Sequence, residues 1–214
     1  MGTLPHFLDR SFTNWYSGAV ARPREFERDV VLDRAMKVFW SRGYQATSIQ
    51  QLVARMGIQR GSLYGAFGDK RALFFAAMER YDRVMTARLL ATLDAPGSGL
   101  AAIRRFFRLK VEAAQERGRP RGCLVTNSAT ELGSRDRATA SRIGATLDRI
   151  EAAFQRAVVR AQAAGEIDPT RDARALARFL TSSAQGLSVM AKTSPDRATL
   201  DDIVKITLEV VGRR

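Results

Sequence analysis

Apolar residues recur along this chain at three- and four-residue intervals, and no stretch alternates well enough to predict a strand. Leu32, Ala35, Met36 and Phe39 follow i, i+3, i+4, i+7, which puts them on one face of a helix from about Glu25 to Ser41. Gly43 ends it. Thr47 is placed to cap the next helix, where Ile49, Leu52, Val53 and Met56 repeat the spacing until Gly57 breaks it. A third, short helix begins near Gln59 and buries Leu63 and Phe67. Asp69 can then cap a long fourth helix from Lys70 to about Thr92, with a stripe through Leu73, Phe74, Ala77, Met78, Tyr81, Val84 and Met85.

The run Ala95-Pro-Gly-Ser-Gly99 is the clearest breaker and reads as a loop between two bodies. Beyond it, helices are predicted over Leu100 to Gln115, about Cys123 to Leu132, and about Asp136 to Ala164. The last of these carries Ile143, Leu147, Ile150 and Phe154 on one face. A polar loop from Glu116 to Gly122 separates the first two. Gly165 stops the long helix, and Asp168-Pro169 reads as an N-cap followed by proline, opening a helix to about Lys192. Ser194-Pro195 interrupts, and Thr199-x-x-Asp202 resembles a capping box for a final helix ending near Val211. The expected fold class is all-α, with about nine helices. It divides into a DNA-binding unit at 21–69, a connecting helix at 70–95 and a C-terminal body at 96–214.

Composition narrows the function. With one cysteine, Cys123, and one histidine, His6, the chain lacks the parts for an internal disulfide, a thiolate metal cluster, a zinc site or a Ser–His–Asp triad. No metal, cofactor or enzymatic role is expected, and general acid–base work has no candidates. No apolar run approaches the ~20 residues of a membrane span, so a cytoplasmic protein is expected. Residues 1–19 lack the pattern of a secretion signal. They read as a disordered extension or a misassigned start, since Val20 could be a GTG start codon. The net charge of +13 points to an anionic partner, although residues 71–214 also hold 25 Lys or Arg against 16 Asp or Glu. Much of the basicity is therefore spread over solvated faces.

One segment concentrates the signal. From Arg34 to Ala66 there are five Arg or Lys and no Asp or Glu. Within it lies a helix, a glycine turn and a second helix. Such a unit suits a DNA groove, because phosphates repel carboxylates as strongly as they attract guanidinium groups. The outer side of the second helix offers Gln59, Arg60, Gly61, Ser62 and Tyr64. Arg and Gln can make paired hydrogen bonds to guanine and adenine edges, and Gly61 lets the backbone approach DNA. Thr47 and Ser48, with the amides opening their helix, suit a phosphate, as does Lys70. A helix–glycine–helix by itself is equally a pair of core helices with a wet polar face.

The run AMKVFWSRGYQATSIQQLVARMGIQRGSLYGAFGDKRALF resembles the DNA-binding domain of the tetracycline-repressor (TetR) family of bacterial regulators. The likeness rests on Phe39, Arg42-Gly43-Tyr44, Ala46-Thr47-Ser48, Gly57-Ile58, Gly61-Ser62-Leu63-Tyr64, Phe67, Lys70 and Leu73. Val53 and Gln59 depart from the family's usual alanine and serine. The resemblance implies a homodimer whose recognition helices enter successive major grooves of a near-palindromic double-stranded DNA operator. It also implies a variable C-terminal helical body that dimerises through its last two long helices and often holds a small-molecule inducer. Arg121-Gly122-Cys123-Leu124, Asn127 and Glu131 resemble one subgroup of those bodies. The start Ala21-Arg-Pro-Arg-Glu-Phe26 resembles that subgroup too, making Arg22 and Arg24 a candidate DNA-contacting arm or a merely solubilising tail.

Weaker signals complete the reading. Cys123 beside Arg121 at a helix start could be an activated thiol, which would make the chain a redox sensor; a small half-buried core residue is the simpler reading. A ligand pocket would draw on Phe106, Phe107, Lys110, Cys123, Leu124, Asn127, Phe154, Phe179, Ser183 and Leu187, although residues of this kind are more often plain core than ligand wall. Ala173, Ala177, Ala184 and Gly186 with Leu176, Leu180 and Leu187 would permit close packing in the last two helices. Ile203, Ile206, Val210 and Val211 match them, between protomers or within one. The expected function is a ligand-responsive repressor, the alternative a helical small-molecule-binding protein on the same scaffold.

Overall fold

The computed structural model describes residues 25–116, 122–193 and 196–212. Among them the backbone is helical, with no strand. The elements are α1 (Glu25–Arg42), α2 (Ile49–Met56), α3 (Arg60–Phe67), α4 (Lys70–Tyr81), a π-helical segment (Asp82–Thr86) and α5 (Ala87–Leu93). They continue as α6 (Gly99–Gln115), α7 (Leu124–Leu132), α8 (Arg137–Ala163), α9 (Ala173–Thr193) and α10 (Arg197–Val211). The segment α4–π–α5 runs without a break, so the single rod expected from Lys70 is present with a one-turn bulge inside it. The extension at 1–20, the arm residues Arg22 and Arg24, Arg121 and the Ser194–Pro195 break lie outside the described residues.

Three helix starts differ from expectation, each because a neighbouring side chain competes better for the open amides. Ser48, not Thr47, caps α2: its hydroxyl accepts from the Gln51 N–H at 3.1 Å, and the Gln51 side chain accepts from the Ser48 N–H at 3.0 Å. Thr47 turns inward, 1% exposed, and its hydroxyl donates to the Gly43 carbonyl at 2.6 Å. Asp168 closes a local turn by accepting from the Thr170 amide and hydroxyl at 2.9 and 2.7 Å. The helix therefore opens later, where Asp172 accepts from the Arg174 and Ala175 amides. Asp196 caps α10, accepting from the Thr199 amide and hydroxyl, both at 3.0 Å, so Thr199 donates to the cap.

Two apolar cores form. The first gathers Leu32, Phe39, Leu52, Leu63, Leu73 and Phe74 from α1 to α4, and its rings pack edge-on, Phe39 to Phe74 at 5.2 Å and Trp40 to Tyr81 at 5.1 Å. Each such buried side chain contributes roughly 1.5–3 kcal/mol. Leu124, Val125 and Leu132 of α7 and Ile143 of α8 belong to this core as well. The second core joins α5, α6, α8, α9 and α10 around Ile103, Phe107, Phe154, Leu180 and Leu187. Arg80 of α4 ties α1 down by donating to Asp33 at 2.8 Å and Asp29 at 2.6 Å.

Candidate nucleic-acid interface and the cavity behind it

The helix–turn–helix is held at its turn by backbone chemistry. Gly57 sits in the left-handed region at φ 71°, and its N–H donates to the Val53 carbonyl at 2.9 Å, closing α2. Arg34 of α1 reaches across to donate to the Met56 carbonyl at 3.0 Å. The positive φ favours glycine, and a Cβ on Gly57 would also lie 3.1 Å from that guanidinium, which would have to give way by a few tenths of an ångström. Leu52, Met56 and Leu63 are fully buried. They fix the α2–α3 angle and turn one side of α3 outward.

That side carries Gln59, Arg60, Gly61, Ser62 and Tyr64, all exposed. The Arg60 guanidinium lies 5.7 Å from the Tyr64 ring centroid and donates to its hydroxyl at 3.4 Å, so the two side chains steady each other at the surface. No side chain caps α3 at Gln59, and its first turn holds no acid, which leaves the helix start fit for phosphate. Ser48 is exposed at the start of α2, whereas Thr47 presents no side chain outward. Lys70 is half-buried, its ammonium 4.4 Å from the Tyr44 ring centroid. Burial lowers its pKa, opposed by the charge of Glu131.

Gly61 and Gly65 recur four residues apart on the open side of α3, and a Cβ at either would meet nothing within 4 Å among the described residues. No neighbour described demands glycine there. Gly61→Ala should therefore stabilise the free protein by about 0.5–1 kcal/mol, as alanine does in a helix. It should at the same time weaken operator binding, if this face lies against DNA. Thermal melting and a binding titration on the same variant check both signs. Tighter binding would remove α3 from the interface.

A long-range contact with little trace in the sequence joins this head to the body. Glu131 of α7 accepts from the Tyr44 N–H at 2.9 Å and the Gln45 N–H at 2.6 Å, in the turn between α1 and α2. Hydrogen bonds to a charged group are worth roughly 1.5–3 kcal/mol each before solvent weakens them. Asn127, one turn earlier, donates to the Trp40 carbonyl at 3.4 Å and accepts from Lys192 at 3.3 Å. The subgroup resemblance singles out Asn127 and Glu131, but nothing in their spacing points to the α1–α2 turn.

The expected pocket residues divide. Phe106, Phe107 and Phe154 pack against one another with centroids 4.8–5.9 Å apart and are at most 2% exposed, so they are core. Leu124 lies in the first core, and Phe179 points outward at 38% exposure. Ser183 is half-buried on α9. Lys110, Cys123 and Leu187 instead meet at a cavity of about 190 Å³ between the two cores. Trp40 of α1, Tyr81 at the end of α4 and Met85 of the π segment also line it, and π-helical turns are common at functional sites. The Tyr81 hydroxyl donates to Cys123 Sγ at 3.4 Å. Of the small residues expected to pack helices, Ala177 and Ala184 are fully buried within the protomer. Gly186 is exposed, as are the large apolar residues Phe179, Val189, Ile206 and Val210.

Comparison with known proteins bears on both halves. Residues 31–77 match the model of the bacterial regulatory proteins of the tetR family, and residues 99–207 that of the tetracyclin repressor-like C-terminal domain. The uncharacterized HTH-type transcriptional regulator YezE of Bacillus subtilis (strain 168) is 37% identical over 193 residues, covering 90% of this chain and 100% of that protein. The HTH-type transcriptional repressor ComR of Escherichia coli (strain K12) is 33% identical over 88% of this chain and 90% of its own length. Among solved structures, a cysteine mutant of the TetR family transcriptional regulator CifR, complexed with 26-bp operator DNA, superposes with a TM-score of 0.79. It is 34% identical, over 88% of this chain and 98% of that one.

Proposed function

This chain belongs to the TetR family of bacterial transcriptional regulators, and on that premise we propose that it is a cytoplasmic, ligand-responsive repressor binding a near-palindromic operator as a homodimer. The observation that carries the reading is the exposed face of α3, where Gln59, Arg60, Ser62 and Tyr64 stand on an acid-free helix–turn–helix. Arg60 and Gln59 read base edges in this account, while Ser48, Ser62, Tyr64 and Lys70 address phosphates and the Thr47 backbone lies beside them.

Dimerisation is supported by the apolar residues left uncovered on the last two helices. Phe179 and Val189 of α9 and Ile206 and Val210 of α10 are 38–57% exposed. Joining two copies through these helices buries that surface and sets the spacing of the two heads, which must be roughly 34–36 Å for successive major grooves. A ligand in the cavity between the cores favours one spacing over another, and operator affinity follows the population of the fitting state. Trp40 lines that cavity and lies on the helix that leads into the Gly43 turn, which supports the coupling.

The test is binding to the DNA upstream of the protein's own gene and its neighbours, measured across a salt series. The expected result is a saturable complex of two chains per site. Its affinity should fall steeply with salt, as counterion release requires, and unrelated DNA should bind much more weakly. Equal binding to all DNA, or none at low salt, would remove the operator from the account.

A further inference from the structure

The cavity between the cores has a chemical preference. Lys110 lines it, and among the described residues no carboxylate lies within ion-pair distance of its ammonium. Its hydrogen bond goes to the Ser188 hydroxyl at 2.8 Å, and that hydroxyl in turn donates to the Ala184 carbonyl at 3.0 Å. Burial lowers the Lys110 pKa, opposed by the nearby Cys123 thiol. Trp40 also lines the cavity, with its indole N–H itself buried. The other walls are largely apolar, with Met85, Leu89 and Leu187 among them. Arg88, Glu112 and Glu116 lie at the exposed rim, away from the half-buried lysine, and Glu112 pairs with Arg108 at 3.7 Å.

We propose that this cavity binds a small organic carboxylate, its oxygens on the Lys110 ammonium and its hydrocarbon part against Leu89 and Leu187. A single negative charge matches the half-buried Lys110 ammonium, which has no ion-pair partner among the described residues. The volume sets the size: an apolar cavity of ~150 Å³ holds a benzene ring. A space of about 190 Å³ therefore suits a benzoate-sized or short-chain acid. The inference deepens the reading of the chain as ligand-responsive and rests on it for its regulatory meaning, but the binding itself needs no DNA.

Isothermal titration calorimetry of the full chain with sodium benzoate and sodium butyrate tests it, with benzamide as the neutral isostere and inorganic phosphate as the competing anion. One benzoate or butyrate per chain is expected. Lys110→Met should weaken binding at least about 10-fold, as loss of a charge-assisted hydrogen bond does. Lys110→Met should melt close to the parent, because the ammonium it removes is half-buried and has no ion-pair partner among the described residues; if it fails to fold, Lys110→Gln takes its place. Saturable binding of neither acid, equal affinity for benzamide, binding of phosphate alone, or an unchanged affinity in the lysine variant each overturns the proposal. A carboxylate that binds through Lys110 yet leaves operator affinity unchanged upholds the site and removes the ligand-responsive reading instead.

Discussion

Arg60→Ala is expected to lower operator affinity by about 100-fold or more while leaving the melting temperature where it was. A side chain paired to a base edge is worth roughly 1–3 kcal/mol, and a two-fold complex loses that contact twice. The fold loses little, because Arg60 is exposed and its contact among the described residues is with Tyr64, through a 3.4 Å hydrogen bond and the ring face. Tyr64→Ala should weaken binding too, by removing its own contact and by freeing the guanidinium it steadies. Fluorescence anisotropy with a labelled operator at fixed moderate salt measures the loss. Unchanged affinity in both variants would show that α3 is not the reading head, whatever the rest of the chain does.

The second large effect is on stability. Gly99→Ala should destabilise the protein by about 3 kcal/mol, since forcing a methyl group into a packed contact typically costs 1–3 kcal/mol and this one meets backbone. A Cβ at Gly99 would lie 2.0 Å from the Ala157 carbonyl oxygen and 2.6 Å from the Ala161 nitrogen of α8. Backbone cannot swing aside as a side-chain tip can, so α6 must separate from α8. The start of α6 has little room to do so. The Ser98 hydroxyl accepts from the Ala101 N–H at 2.9 Å, and Glu166 accepts from the Leu100 N–H at 3.0 Å. Hydrogen bonds from Ser98 and the Leu100 amide hold the Glu166 carboxyl below the usual carboxylate range. In a chain of this size, 3 kcal/mol corresponds to a melting point lower by roughly 6–12 °C. Calorimetry reads it, and a melting point within a degree or two of the parent would show that the α6–α8 contact yields more easily than the geometry allows.

Gly99 also marks where reading by local rules stops. In sequence it closes a Pro-Gly-Ser-Gly run and reads as loop, whereas in the fold it is the first residue of α6 and the point of closest approach to α8. Both readings use the missing side chain, but only packing reveals which use matters. The caps show the same limit. Thr47, Ser48 and Gln51 all stand at the right distance to cap α2, and the inward turn of Thr47 onto Gly43 assigns the work to Ser48. The pocket shows it more strongly, because an aromatic on an apolar helix face has the same spacing whether it fills a core or lines a cavity. Phe106, Phe107 and Phe154 fill the core, and Lys110, Cys123 and Leu187 reach the space beside it.

Local spacing along the chain settles the helices, most of their ends, and the acid-free segment whose outer face carries Gln59 to Tyr64. Each of these rests on forces acting over three or four residues: the helical hydrogen-bond period, amide capping and the repulsion of phosphate by nearby carboxylates. Tertiary structure alone decided that Glu131 holds the amides of Tyr44 and Gln45. It also decided that Lys110, Ser188 and Trp40 surround one cavity, and that α8 needs Gly99. Those contacts join residues 58 to 148 positions apart, brought together by the angles at which helices cross. No periodicity along the chain encodes such an angle; it is settled by which side chains interdigitate once the helices meet.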